Sequence, residues 1–90
     1  MSSYQKRADF VNTKRLKNEP VEAVNGIGDA GKRVLEKQDI IYAYQLLGLY
    51  LRCGRDTRSF ESQLQFEYGL YSKSAKHCAE CLEEWCVKNA

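Results

Sequence analysis

Three glycines and two adjacent cations lie close together in the stretch AVNGIGDAGKRVL, residues 23–35: Gly26, Gly28, Gly31, Lys32 and Arg33. Glycine reaches backbone angles that a Cβ forbids, and its bare main chain lets a ligand come close. The free N–H groups at the start of a following helix carry the positive end of its dipole. Such groups bind phosphate, and a nearby lysine or arginine can complete the charge neutralisation. The spacing therefore predicts a phosphate-binding turn.

The order Val24-Asn25-Gly26-Ile27-Gly28 is that of a helix-hairpin-helix, in which Ile27 points into the core. Contacts made to backbone phosphates carry no sequence information, so this motif predicts sequence-independent binding to duplex DNA. A tight turn without any ligand remains an alternative. Asp29 would cap the following helix, but its charge would repel a nearby phosphate.

Helical periodicity recurs along the chain and proline is scarce, so residues 1–90 are predicted to form one all-α domain of five to six helices. The predicted helices run from Ser2 or Ser3 to about Asn12, Val21–Val24, Asp29–Lys37, Ile40–Arg52, Asp56 or Thr57 to about Tyr68, and Ser72 or Ser74 to Val87. We expect the helix Ile40–Arg52 to be the most buried of them.

Composition places the chain among ordinary soluble domains, with 43% hydrophobic and 29% charged residues and a net charge of +2. No apolar leader and no membrane-length apolar run is present, so we expect a nuclear or cytosolic protein without membrane insertion. Cations are concentrated in residues 1–18, whereas the last helix is acidic. This polarity fits either a basic face for a polyanion or a solvated mixed surface.

The run from His77 to Cys86 contains a Cys-x-x-Cys pair and can be interpreted as a zinc site. However, Cys78, Cys81 and Cys86 share one helical face with apolar neighbours, which favours core packing and no metal. His77 is the sole histidine, and no catalytic motif accompanies it. We therefore expect neither enzymatic activity nor a cofactor.

Gly48 lies in the middle of an apolar helix, where glycine costs about 1 kcal/mol relative to alanine. Close approach of a second helix would compensate for this cost. The sequence thus predicts a homodimer with Leu47, Gly48, Tyr50 and Leu51 at the interface.

Five further motifs are Gln5-Lys6, Asp9-Phe10-Val11, the segment from Pro20 to Gly28, Ala43–Leu51, and Cys78–Cys86. With these motifs and its length, the chain resembles the barrier-to-autointegration factor family. The resemblance implies an all-α nuclear homodimer that binds and bridges double-stranded DNA and compacts chromatin. It also implies binding to LEM-domain proteins of the inner nuclear membrane and to lamins.

Matched by position, the resemblance implies a DNA face made of Gln5, Lys6, Gly26, Ile27, Gly28, Ala30, Gly31, Tyr71, Ser72 and Lys76. Lys32 and Arg33 are added to this face because a cation beside the turn can neutralise a bound phosphate. The family's LEM-binding groove is apolar, whereas this chain has Arg52, Ser59 and Gln63 at the matching positions. LEM-domain binding is therefore expected to be weak. The alternative function is a protein-interaction adaptor that keeps the fold but has weakened or lost DNA binding.

Ser2 and Ser3 lie within one helical turn of Gln5 and Lys6, so phosphorylation there would border the DNA face. A phosphoserine adds about −1.5 to −2 charge at pH 7 and would repel the DNA backbone. The resemblance supports such a switch, since the family is released from DNA by modification of this region. The alternative is that both serines serve only as helix caps.

Overall fold

The computed structural model describes residues 3–89, with side chains from Gln5 to Asn89. In chain order the elements are α1 (Ser3–Val11), a short 3₁₀ helix (Val21–Ala23), α2 (Asp29–Glu36), α3 (Ala43–Arg52), α4 (Thr57–Phe66) and α5 (Ser72–Asn89). Residues 3–89 contain no β-strand, although one isolated antiparallel bridge joins Pro20 to Tyr42. The predicted all-α architecture is confirmed. No helix in this range has the length and apolar content to cross a membrane.

The longest helix, α5, is the centre of the packing and contacts both α4 and α1. Its buried face carries Cys78, Cys81 and Cys86, which confirms that these cysteines are core residues. Burial raises the pKa of the Cys78 thiol, so this group stays protonated. Among the described side chains, no group of three or more His, Cys, Asp or Glu is arranged to hold a metal ion.

Helix α3 begins at Ala43, three residues later than predicted, because Gln45 caps an extended segment. The Oε1 atom of Gln45 accepts hydrogen bonds from the N–H groups of Ile41 at 2.8 Å and Tyr42 at 2.9 Å. The Ile41 carbonyl in turn accepts a bond from the Val21 N–H at 2.8 Å. This segment is therefore held beside the 3₁₀ helix instead of joining α3.

The expectation that α3 is the most buried helix is wrong. Only Ala43, Leu46 and Tyr50 of α3 are buried, whereas the buried face of α5 runs from Ala75 to Cys86. The outer face of α3 remains exposed in the isolated chain, with Tyr44 at 48% and Leu51 at 49% exposure.

The ends of α4 and α5 follow local rules. Asp56, one of the two residues predicted to start this helix, caps α4 by accepting bonds from the N–H groups of Arg58 and Ser59 at 3.1 and 3.2 Å. Gly69 ends the α4 segment with φ +83°, which glycine tolerates best. Helix α5 runs past the predicted Val87 to Asn89, whose side-chain amide donates to the Val11 carbonyl at 2.8 Å.

A hydrogen-bond network joins the α3–α4 turn to α5. Arg55 donates hydrogen bonds from two nitrogens to the Glu83 carboxylate, at 3.0 and 2.8 Å. The Tyr50 hydroxyl donates to the same carboxylate at 2.6 Å. Arg55 and Tyr50 hold the pKa of Glu83 below its usual range. Tyr50 is thereby fixed inside the chain.

Candidate nucleic-acid interface

The glycine turn has the predicted order of short helix, turn and second helix, with a 3₁₀ helix first and α2 second. Ile27 is fully buried between them, and its N–H donates to the Val24 carbonyl at 3.1 Å. This confirms that Ile27 anchors the turn in the core. Its side chain cannot contact a ligand, so only its backbone can belong to a DNA face.

Gly26 is required for packing rather than for ligand approach. Its φ is +97°, and a Cβ built on it would lie 2.6 Å from the Ser74 carbonyl oxygen and 2.9 Å from the Cys78 nitrogen. Both atoms belong to the backbone of α5, which cannot yield as a flexible side chain can. The bare main chain of Gly26 therefore lets α5, and not a ligand, come close.

Gly28 differs from the prediction because its φ is −98° with ψ −163°, an extended conformation open to any residue. A Cβ built on Gly28 would meet no atom within 4 Å. Space in front of this glycine is therefore free for a ligand. Glycine is thus not required here for its backbone angles, but the missing side chain leaves the main chain open to approach.

The start of α2 presents its free donors at this point. The first bond of the helix runs from the Lys32 N–H to the Gly28 carbonyl at 2.9 Å. Within the described residues, the N–H groups of residues 28–31 have no acceptor. Gly28 is the N-cap, so Asp29 occupies the first helical position and does not cap the helix through its side chain, contrary to expectation.

The residues that carry these donors line a cleft of 330 Å³ between α2 and the start of α5. Its lining includes Gly28, Asp29, Ala30, Gly31, Tyr71 and Ser74. The Tyr71 ring is 79% exposed at the rim. Of the other residues assigned to this face, Ser72 and Lys76 are exposed on the first turns of α5.

Lys6 reaches the turn from α1, and Gln5 precedes it on the same helix. The half-buried Lys6 donates from Nζ to the Ile27 carbonyl oxygen at 2.8 Å. Gln5 is exposed and donates from Nε2 to Asp9 at 2.8 Å. The ammonium of Lys6 is thus directed at the protein backbone.

The two cations of α2 have different surroundings. Lys32 Nζ lies 2.9 Å from the Glu22 carboxylate, a pairing that raises the pKa of Lys32 and lowers that of Glu22. Both side chains are more than a third exposed, so the pair contributes little stability and can exchange partners. Arg33 is exposed on the next position of the helix.

The residues assigned to a dimer interface divide between two faces of α3. Leu47, Gly48 and Leu51 share the outer face with Tyr44, and a Cβ on Gly48 would meet no atom of the chain within 4 Å. Tyr50 is fully buried on the inner face. Its assignment to the interface is wrong, because residues 43, 46 and 50 form the core-facing stripe.

Sequence reasoning missed two exposed residues beside this outer face, Ile41 and Tyr42. The Tyr42 ring stacks on Tyr44 with centroids 5.4 Å apart and an angle of 9° between planes. The signal was the continuous apolar run before α3, which is longer than one buried face can hold. Together with Tyr44, Leu47, Gly48 and Leu51, these two residues define the α3 surface.

A second groove, of 570 Å³, includes Cys53, Ser59, Gln63 and Phe66 in its lining. The Cys53 thiol donates to the Gln63 side-chain oxygen at 3.2 Å. The charged residues Arg58 and Glu67 also line the groove. Phe66, which sequence reasoning missed, is 84% exposed at its edge. Of the predicted modification sites, Ser2 lies outside the described residues, and Ser3 is the first residue of α1.

The chain is similar to known proteins along nearly its whole length. A family model described as "Barrier to autointegration factor" matches residues 1–89. Barrier-to-autointegration factor of Mus musculus is 35% identical over 86 residues, covering 96% of both chains. The Homo sapiens protein of the same name is 34% identical over the same coverage. That of Drosophila melanogaster is 32% identical over 82 residues, covering 91% of this chain and 90% of the relative.

Proposed function

The chain belongs to the barrier-to-autointegration factor family, and from this premise we propose that it binds double-stranded DNA without sequence preference. The proposal includes a nuclear, non-enzymatic role in organising chromatin. A homodimer formed through the α3 surface would present two DNA faces, so one dimer would bridge two duplexes. The family resemblance and the position of the turn on the surface support this proposal.

The observation that carries it is the set of free N–H groups at residues 28–31, which belong to residues lining the cleft beside Gly28. Donors at a helix N-terminus favour an anion, and a backbone phosphate fits them without reading a base. Lys76 and Arg33 are exposed cations that can approach neighbouring phosphates. Lys32 can join them by exchanging Glu22 for phosphate.

We predict that unrelated duplexes bind with similar affinity and that log K falls linearly with log salt, by about 0.9 for each phosphate neutralised. Gly28→Glu should weaken DNA binding by about tenfold or more, because the new carboxylate would occupy the N–H groups in place of the DNA phosphate. The fold should survive, since Gly28 is extended and faces open space. Salt-titrated mobility shifts measure both effects.

Ser62→Glu is the matched control, because it adds the same charge on an exposed position of α4. It should bind DNA as the wild type does. A strong preference for one sequence or for single strands, or equal weakening by the two variants, would contradict the proposed interface.

The adaptor function remains the second candidate, and the Lys32–Glu22 pair favours it. That pair and Asp29 place two carboxylates beside the proposed phosphate site. If the wild type binds no duplex at low salt, the adaptor function replaces the first proposal. Binding to LEM domains or lamins is proposed to be weak, because polar and charged residues, among them Arg58, Ser59 and Gln63, line the second groove. Calorimetric titration with a LEM domain would show tight binding if this is wrong.

We further propose that phosphorylation of Ser2 and Ser3 releases DNA. Ser3 begins α1, three residues before Lys6, so added negative charge there would lie near the proposed DNA face. A negative group at a helix N-terminus is compatible with the fold. Ser2→Glu/Ser3→Glu should weaken DNA binding severalfold at low salt and leave the melting temperature unchanged. The matched Ser2→Ala/Ser3→Ala variant should bind normally, and equal affinity of the two variants would refute the switch.

A further inference from the structure

The Lys6 ammonium is directed at the turn rather than at solvent, although Lys6 was assigned to the DNA face as a cation. Its Nζ atom donates to the Ile27 carbonyl oxygen at 2.8 Å from a half-buried position. That carbonyl and the Gly28 N–H belong to one peptide group. In a trans peptide group the C=O and N–H bonds point in opposite directions within a plane. Fixing the carbonyl toward α1 therefore directs the Gly28 N–H away from α1.

We propose that Lys6 is a positioning residue, which holds the Ile27–Gly28 peptide so that the Gly28 N–H faces the phosphate. This inference rests on the proposed DNA-binding function and names how its site is kept in place. The Gly28 N–H has no acceptor among the described residues, and the space beside Gly28 is open. The donor that Lys6 directs is thus free for a ligand.

Two further bonds show why this peptide group needs a constraint. The Ile27 N–H is bonded to Val24, and the Gly28 carbonyl accepts from the Lys32 N–H. The peptide group between them has no other backbone partner, so the Lys6 ammonium is its only tether among the described residues. A cation on the carbonyl also polarises the amide and strengthens its N–H as a donor.

The test compares Lys6→Met, which keeps an unbranched side chain one atom shorter but removes the donor, with Lys76→Met. Lys76 is exposed on α5 and is proposed to contact phosphate directly. In protein free of DNA, NMR should show that Lys6→Met shifts the Ile27 carbonyl carbon and the Gly28 amide, and that Lys76→Met shifts neither. Lys6→Arg retains a charged donor and should restore both resonances toward their wild-type positions.

DNA binding gives the second readout. Lys6→Met should weaken binding by about tenfold and leave the salt slope unchanged, because no phosphate contact is removed. Lys76→Met should lower the magnitude of the slope by about 0.9, the value for one phosphate. The positioning role is overturned if Lys6→Met lowers the magnitude of the salt slope as Lys76→Met does, or if it leaves the Gly28 amide resonance unshifted. If the wild type binds no DNA, the proposed function itself is wrong, and the NMR comparison separates the two failures.

Discussion

Replacing Gly26 by alanine is expected to lower the free energy of unfolding by about 3 kcal/mol or more, from two separate costs. Holding a residue with a Cβ at positive φ costs of order 1–3 kcal/mol. Forcing an extra carbon into a packed site typically costs another 1–3 kcal/mol. The second cost is large here because the new Cβ would lie 2.6 Å from the Ser74 carbonyl oxygen and 2.9 Å from the Cys78 nitrogen. Urea denaturation followed by circular dichroism measures the loss.

Two other glycines separate these costs. Gly69 also has a positive φ, +83°, but a Cβ there would lie 3.7 Å from the Val34 side chain, an ordinary contact. Gly69→Ala should therefore show the conformational cost alone. Gly28→Ala should show neither cost, because its φ is −98° and its surroundings are open. If Gly26→Ala costs no more than Gly69→Ala, the close packing of the turn on α5 is wrong.

Local rules account for what the sequence predicted correctly. Helical periodicity located the helices, the glycine spacing located the turn, and Asp56 marked the start of α4. Each of these signals acts over a few residues of chain. The predicted start of α3 failed because the hydrogen bonds of Gln45 and the contact of Ile41 with Val21 override local helical preference. The second of these joins segments that are distant in sequence.

The candidate site depends more on long-range contacts, which spacing along a helix cannot reveal. Lys6 reaches the Ile27 carbonyl from 21 residues away, and Glu22 pairs with Lys32 across the turn. In each contact, a lysine that composition alone would assign to a ligand is paired with a group of the protein itself. Tyr50 could not be placed from the sequence either, because an apolar helix has two faces and its sequence does not reveal which of them packs on the core.

The faces of α3 bear on the proposed dimer. Tyr44, Gly48 and Leu51 follow the spacing i, i+4, i+7, so they form one stripe on the outer face. Tyr44 and Leu51 are about half exposed in the isolated chain, at 48% and 49%. Gly48 lies between them with free space before it, where a second helix can approach closely. An isologous dimer would place the same stripe from each copy in contact.

Gly48→Glu is expected to convert the dimer to monomers, because each copy would bring a carboxylate into the centre of this contact. An unpaired buried charge costs about 3 kcal/mol or more, which weakens dimerisation by more than about 100-fold. Analytical ultracentrifugation at micromolar protein should show the monomer mass, while circular dichroism should show a helical fold. The bridging of two duplexes in mobility shifts should disappear with the dimer.

Two companion variants locate the interface. Gly48→Ala would stabilise an isolated helix by about 1 kcal/mol, but in a close helix contact its methyl group should weaken the dimer. Val87→Glu adds the same carboxylate at an apolar position of α5 that is 72% exposed, and it should remain dimeric. If Gly48→Ala only stabilises the protein and Val87→Glu yields monomers, the copies meet through α5. The α3 surface then needs another partner, because its exposed stripe would still lie uncovered.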